Sequence, residues 1–181
     1  MNLTYSTERL LLRILTGGCE APVLHFLQEN RHVFEQYEPP REQHFYTLGY
    51  QRALLNAEFV EMMHFQRLRL YISLKEEPDR LIGTVSFQNV KPQYFQSCQV
   101  GYKFAPAFWH QGYARESLFF SIPLFAEAAS IHRFEAYTLP DNAGSKTLLY
   151  SLGFQKEGLL KEYAYINGMW RDHELYSLIY V

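Results

Sequence analysis

The 181-residue chain has a formal charge of −2, 48% hydrophobic residues and 20% charged residues, values typical of one globular domain with an ordinary core. This balanced charge excludes a strongly basic nucleic-acid surface or a polybasic membrane contact. The longest apolar stretch, 118–126, is too short for a membrane span. We therefore predict a single domain over residues 1–181, with a small molecule or a protein as its partner.

The number of cysteines and the composition of the N-terminal residues predict the cellular compartment. Only Cys19 and Cys98 are present, so the fold needs no disulfide framework, and both suit a reducing cytosol. The opening residues lack the basic segment, apolar core and cleavage site of a secretory signal. We predict a cytoplasmic protein. The seven histidines show no metal-ligand spacing, so no metal is predicted.

The first half of the chain predicts one strand, two helices and an antiparallel meander. The run 9–15 is strand-like, and helical spacing follows over 19–34 and 48–65. Pro39 and Pro40 separate those helices. The meander strands are expected at 68–74, 80–90 and 97–105.

The second half predicts a helix over 113–129, bent at Pro123, then a strand at 133–139 and a helix at 142–153. A terminal hairpin follows, turning at Asn167-Gly168. The whole order gives seven strands and about four helices, an α/β (α+β) domain with a mixed, mostly antiparallel sheet.

The stretch "AFWHQGYARES" at 107–117 is the first candidate binding segment. A helix begins there with no Ser, Thr, Asp or Asn directly before it to cap its N–H groups. Free N–H groups at a helix N-terminus attract phosphate, and Gly112 and Ala114 are small enough to allow close approach. Spacing alone leaves Gly112 equally well explained as a plain turn residue. The chain has no GxGxxG, and "AGSKT" at 143–147 is not a Walker loop.

These residues resemble the coenzyme A pyrophosphate loop of the GNAT N-acetyltransferase superfamily. The family pattern is Gln or Arg, two residues, Gly, one residue, and Gly or Ala, and Trp109 occupies its first position, as in one branch. The segment "PDNAGSKTLLYSLGF" is similar to the second family motif. The segments "ERLLLR", "ENRHVFEQYEP" and "LLKEYAYINGMWRDHELYSL" resemble the RimJ/RimL branch of ribosomal-protein alanine N-acetyltransferases, so the resemblance covers nearly the whole chain.

The resemblance implies a GNAT fold with a sheet splayed at the acetyl-CoA site, and a set of site residues. Backbone groups of Tyr102, Lys103 and Phe104 are expected to bind the pantetheine arm, and Asn142 its amide region. Ser145 occupies the position of a serine proposed to protonate the leaving thiolate, although a helix-capping hydroxyl explains it equally well. The residues expected around the pyrophosphate are His110, where Gly is usual, Gln111, Gly112, Tyr113, Ala114 and Arg115.

The catalytic acid and base depart from the family pattern. Ala164 stands where the RimL type has a glutamate proposed as base, and Glu162 is one same-face step away. The tyrosine acid of many members falls at Leu149, next to Tyr150. Which hydroxyl acts as the acid, Ser145 or Tyr150, therefore stays open.

A missing strong base suits an α-amine acceptor. At pH 7 deprotonation of an α-amine costs about 1 kcal/mol and that of a lysine about 4.6 kcal/mol. Glu38 is the first candidate base, acting through water, since the RimJ resemblance puts its loop over the acceptor. Glu135 is the second candidate, with an arginine ion pair as its alternative role. Tyr37 and Glu38 are expected to seat the acceptor.

The sequence supports three functions. The first is acetyl transfer from acetyl-CoA, by direct attack, to the N-terminal α-amine of a ribosomal protein. A small amine such as a polyamine, an antibiotic or an amino-acid derivative is the alternative acceptor. The third is a non-catalytic acyl-CoA-binding module. No nucleic-acid or membrane partner is expected, and the aromatic terminal hairpin suits either a homodimer edge or plain core.

Overall fold

A computed structural model describes residues 2–181. Within these residues, eight strands form one sheet in the order β1-β2-β3-β4-β5-β6-β8-β7, in which only the β5–β6 pair is parallel. The strands are β1 Thr4–Ser6, β2 Leu10–Arg13, β3 Leu68–Leu74, β4 Leu81–Lys91, β5 Ser97–Phe104, β6 Arg133–Thr138, β7 Gln155–Ile166 and β8 Met169–Ile179. The helices are α1 Glu20–Glu29, α2 Arg31–Phe34, α3 Leu48–Met63, α4 Tyr113–Ala129 and α5 Ala143–Ser151, with 3₁₀ turns at Gln43–Tyr46 and Pro106–Phe108.

The predicted fold class is confirmed, and two counts are corrected. The eighth strand is β1, whose three residues are too few to show a period. The predicted helix over 19–34 is two helices, because Asn30 leaves helical geometry and donates its side-chain amide to the Phe26 carbonyl, 2.8 Å away. The β3-β4-β5 meander and the terminal hairpin form as predicted, and Asn167 and Gly168 both have positive φ, as a type I′ turn requires.

The two faces of the sheet carry different helices, because strand side chains alternate between faces. On one face α4 packs against the largest core cluster, with Phe125 stacked on Phe87 at 4.9 Å between ring centroids. On the other face α1 and α3 cover a second cluster that includes Leu55 and Tyr71. We call these the α4 face and the α3 face.

Helix α4 is held by a stripe of apolar residues rather than by end caps. Leu118, Ile122, Phe125 and Ala126 are buried at helical spacing. Pro123 lies inside this helix. The helix ends at Ser130 in the left-handed conformation. The N-terminus of α4, which opens on the cleft described below, is thereby fixed from the core side.

The terminal hairpin ends the sheet with exposed aromatic side chains. Strand β7 is the edge strand, and Tyr165 and Trp170 are each more than half exposed. The two rings contact each other at 5.6 Å. These side chains are therefore not buried in the core. Within residues 2–181, no helix is long and apolar enough to cross a membrane.

Candidate acetyl-transfer site

A gap between β5 and β6 opens the centre of the sheet. The two strands pair only from Ser97 to Gln99, and their later residues diverge. A cleft of about 1140 Å³ passes through this gap. It reaches the start of α4, the start of α5 and the α3 face. Residues that the sequence places far apart therefore meet around one opening.

The free edge of β5 supplies backbone groups to the gap. Ala105 donates its N–H to Ile82 on β4 at 2.9 Å, and antiparallel strands alternate the direction of their backbone groups. The backbone groups of Tyr102 and Phe104 therefore face the gap, whereas those of Lys103 face β4. Lys103 also lines the cleft, and since its backbone groups face β4, its side chain is the part available to the cleft.

The loop before α4 has the geometry of an anion site. His110 and Gly112 have φ values of 59° and 82°, the left-handed region that glycine enters most easily. Helix α4 begins at Tyr113 with no side-chain cap, as predicted. His110, Gly112, Tyr113, Ala114 and Arg115 line the cleft, so the first N–H groups of α4 are near open space.

The loop is braced from behind. Gln111, which does not line the cleft, donates its side-chain amide to the Ala107 carbonyl at 2.8 Å. The Arg9 guanidinium donates to the Gln111 carbonyl at 3.0 Å and to Glu116 at 2.7 Å, and it lies 4.5 Å above the Tyr113 ring. The sequence analysis missed Arg9, whose only signal was its place in "ERLLLR". The loop is therefore held in shape by side chains outside the cleft.

Helix α5 brings two predicted residues to the gap. Asn142 caps the helix by accepting the Ser145 N–H at 3.0 Å. The Ser145 hydroxyl lies 2.8 Å from the Tyr102 hydroxyl, so a hydrogen bond joins α5 to β5. Burial raises the pKa of Tyr102 to about 12, and this phenol stays protonated at neutral pH.

The α3 face of the cleft begins with an ion pair. Lys103 Nζ lies 2.7 Å from Oε1 and 2.9 Å from Oε2 of Glu38. Burial lowers the pKa of Lys103, and Glu38 opposes that shift. The ammonium also lies 5.0 Å from the centre of the Phe34 ring. Tyr37 is exposed on the cleft wall beside this pair.

A second charged cluster lies deeper on the α3 face. Glu58 is 5% exposed, approaches Arg69 Nε at 3.1 Å, and accepts the Tyr71 hydroxyl at 3.2 Å. Arg67 pairs with Glu61 at 3.3 Å. The sequence analysis missed this cluster. Its signal was the polar pair Gln51 and Glu58 on the buried stripe of α3, which also holds Leu55 and Met62.

Comparison with known proteins decides the family. Residues 9–155 match the acetyltransferase (GNAT) domain. The chain belongs to the GNAT acetyltransferase family. It is therefore an N-acetyltransferase, and acetyl-CoA is its acetyl donor.

Relatives of this GNAT chain cover almost its whole length. It is 34% identical over 175 residues to a ribosomal protein uS5-alanine N-acetyltransferase of Escherichia coli, covering 96% of this chain and 89% of that protein. The structure of a ribosomal-protein-S5-alanine acetyltransferase from Vibrio fischeri superimposes with a TM-score of 0.93, at 30% identity over 98% and 97% of the two chains. RimJ of Mycobacterium smegmatis, solved with a CoA-disulfide, gives a TM-score of 0.86 at 26% identity, over 94% of this chain and 81% of that one.

Three carboxylate or hydroxyl candidates for GNAT chemistry lie away from the cleft lining. Glu135 accepts hydrogen bonds from Arg133 Nε and from the Tyr137 hydroxyl, each at 2.8 Å. These contacts support its alternative role as an arginine partner, and Glu135 does not line the cleft. Glu162 is exposed in an irregular part of β7, and its N–H donates to Asp172. Tyr150 is more than half exposed and contacts Tyr176.

His173 lines the GNAT cleft from β8 and was not singled out from the sequence. It is 7% exposed, and its ring lies 5.1 Å from that of Tyr163. Its position directly after the Arg171-Asp172 pair gave no distinguishing signal. Among the described residues, no group of three His, Cys, Asp or Glu is arranged to hold a metal ion.

Proposed function

We propose that this GNAT enzyme transfers the acetyl group of acetyl-CoA to the N-terminal α-amine of a ribosomal protein in the cytoplasm, with an alanine-type terminus preferred. The observation that carries the proposal is the 34% identity, over 96% of the chain, to the uS5-alanine N-acetyltransferase. The 175 aligned residues span the elements on both sides of the cleft, including the acceptor side, where relatives with different acceptors are expected to differ.

On the donor side, the proposal uses the backbone around the gap. The N–H groups from His110 to Arg115 bind the pyrophosphate, where the α4 dipole and the missing cap favour an anion. The β5 edge pairs with the pantetheine arm through the Tyr102 backbone and the Phe104 N–H, since the Phe104 carbonyl already accepts the Trp109 indole N–H at 2.7 Å. Asn142 uses its oxygen to cap α5, and its amide N–H₂ remains to donate to the cofactor.

The transfer itself is direct. The amine nitrogen bonds to the acetyl carbon, the carbon–sulfur bond breaks, and coenzyme A leaves as a thiolate while the nitrogen gives up a proton. Ser145 is the proposed hydrogen-bond donor to that thiolate. The Tyr102 hydroxyl, 2.8 Å away, orients the Ser145 hydroxyl.

On the acceptor side, Tyr37 and Glu38 seat the substrate terminus. Both Glu38 oxygens are within hydrogen-bond distance of Lys103 Nζ, at 2.7 and 2.9 Å, so the ammonium already engages both oxygens of Glu38. Its negative charge still attracts a protonated α-amine. The structure therefore suits Glu38 to seating the acceptor better than to removing its proton.

An acceptor panel with labelled acetyl-CoA tests the function. We expect the purified enzyme to acetylate peptides that carry ribosomal-protein N-termini, Ala-initiated ones fastest, and not to acetylate polyamines or aminoglycosides. Mass spectrometry of ribosomal proteins from a deletion strain gives the cellular test, with one N-terminus losing 42 Da. Faster turnover on a small amine, or ribosomal N-termini unchanged by the deletion, would reject the proposal.

A further inference from the structure

The proposed reaction needs a proton acceptor, and the carboxylates predicted from the sequence for this role are either paired with a cation or outside the cleft lining. Attack turns the amine nitrogen into an ammonium, and that nitrogen must lose a proton for the amide to form. Ala164 occupies the family's glutamate position and pairs with Arg171 across the hairpin. Glu38 is bound by Lys103, and neither Glu135 nor Glu162 lines the cleft.

His173 is on the α3 face of the sheet, the face on which Lys103 meets Glu38. Residue 138 of β6 pairs with residue 174 of β8, so His173 lies just beyond the end of β6, where the gap is widest. Ala136 and its partner Tyr176 belong to the core on the α4 face. Successive strand residues alternate between faces, so Tyr137, one position from Ala136, and His173, three positions from Tyr176, lie on the α3 face. Lys103 also lies on that face, since it pairs with Thr84 and Thr84 pairs with Tyr71.

The contacts of His173 fix its tautomer. Nδ1 lies 3.2 Å from the Arg171 carbonyl, which can only accept, so Nδ1 carries the hydrogen. Within residues 2–181 the ring makes no second hydrogen bond, which leaves the Nε2 lone pair without a partner. Tyr163 packs against the imidazole at 5.1 Å and stacks in turn on Tyr137 at 5.0 Å, so the ring is held in place by aromatic contacts.

We propose that His173 Nε2 is the general base of the reaction. As the nitrogen–carbon bond forms and the carbon–sulfur bond breaks, the proton on the attacking nitrogen moves to Nε2, giving an imidazolium, an amide and the coenzyme A thiolate. This assignment rests on the proposed function and adds to it the residue that accepts the proton.

The surroundings keep this base neutral before the reaction. Burial lowers the pKa of His173 below its ordinary 6.5. The hydrogen bond to the Arg171 carbonyl and the charge of Asp172 oppose that shift, whereas the charge of Arg171 adds to it. Asp172 stays ionised because Lys161 and the Glu162 N–H bind it.

The other elements packed around the ring present two phenols and one ion-paired carboxylate. From β6, Tyr137 has a pKa raised to about 12 by burial and by its bond to Glu135. From β7, the neighbouring group is Tyr163, a phenol. From the loop after β6, Asp141 is ion-paired with Arg171 at 2.8 Å.

The test is a pH profile of kcat/KM from pH 5 to 9, with a good peptide acceptor, for the unmodified enzyme and two variants. His173→Asn keeps an N–H that can donate to the Arg171 carbonyl but has no titrating nitrogen. His132→Asn is the matched control, because His132 Nδ1 also contacts a backbone carbonyl, that of Tyr180 at 2.9 Å, but outside the cleft lining.

In the unmodified enzyme, log kcat/KM falls with slope one below the α-amine pKa of about 7.8. It then steepens to slope two below the pKa of His173. His173→Asn loses about 100-fold in kcat at pH 7 and keeps slope one throughout, with acetyl-CoA affinity unchanged. His132→Asn behaves like the unmodified enzyme.

Slope one down to pH 5 in the unmodified enzyme, or a His173→Asn profile that still steepens, overturns the assignment. A carboxylate base, with an ordinary pKa of about 4.3, would give that first result. If His173→Asn fails to fold by circular dichroism, His173→Gln replaces it, and the unmodified profile still decides. An unmodified enzyme that acetylates no peptide terminus instead rejects the proposed function, so the two failures are distinct.

Discussion

The two ends of the cleft proposed to bind the acetyl donor and the acceptor, here the donor end and the acceptor end, are built from different chemical groups. The donor end presents backbone: the N–H groups at the start of α4 and the free edge of β5. The acceptor end presents paired side chains, Glu38 with Lys103 and Glu58 with Arg69. A backbone site depends on chain geometry, whereas a paired site depends on both partners. The two ends should therefore respond differently to substitution.

The largest effect is expected at the donor end. Gly112→Glu forces a side chain into a φ of 82°, with its Cβ 3.3 Å from the Arg9 guanidinium that braces the loop, so the loop is expected to distort. We expect acetyl-CoA to bind at least about 1000-fold more weakly, a loss of about 4 kcal/mol by calorimetry. Gly168→Glu is the control, with a φ of 80° in open space at the hairpin turn. Equal affinities for both variants would remove the loop from the site.

The second-largest effect is expected on stability, when a buried ion pair at the acceptor end is broken. Glu58→Gln leaves Arg69 as a poorly paired charge, so we expect the free energy of unfolding in urea to fall by about 2–3 kcal/mol. Glu77→Gln, in an exposed pair with Arg80, should change it by less than about 0.5 kcal/mol. A Glu58→Gln loss as small as that of the control would mean that the cluster does not hold this face together.

A smaller effect is expected on kcat/KM for the peptide, with no change in acetyl-CoA affinity, when the acceptor end alone is altered. Glu38→Gln removes the negative charge that seats the acceptor, so kcat/KM for the peptide is expected to fall about tenfold. Acetyl-CoA affinity is expected to stay constant, because the pair lies on the α3 face. Glu42→Gln, on an exposed neighbouring carboxylate, is the control. A parallel loss of acetyl-CoA affinity would contradict the division of the cleft into two ends.

The smallest effect is expected at Asn142, where substitution tests whether this residue only caps α5 or also binds the cofactor. Asn142→Ala removes the cap of α5 and should cost about 1 kcal/mol of unfolding free energy. Thr47→Ala removes the cap of α3, which accepts the Tyr50 N–H, and should cost about as much. Only Asn142→Ala is expected to weaken acetyl-CoA binding as well, about tenfold. Equal acetyl-CoA affinities would make Asn142 a cap alone.

The same contrast explains what the sequence could predict. The phosphate loop is local: Gly112 and the uncapped start of α4 lie within a few residues of each other, so a short pattern reveals them. The pairs of the acceptor end are not local, since Glu38 and Lys103 are 65 positions apart and only the folded sheet joins them. His173 was missed for a related reason, because the splay of β5 from β6 is what exposes it to the cleft.

The contacts of the first hairpin with α4 have a consequence for dynamics. Thr7 and the Arg9 N–H both bind Glu116, at 2.5 and 2.9 Å, while the Arg9 guanidinium reaches the loop itself. Strands β1 and β2 are thus expected to be thermodynamically linked to the donor end of the cleft, although β1 lies at one edge of the sheet. Occupancy of that end should slow amide hydrogen exchange across residues 4–13, so the edge strand becomes a remote reporter of cofactor binding.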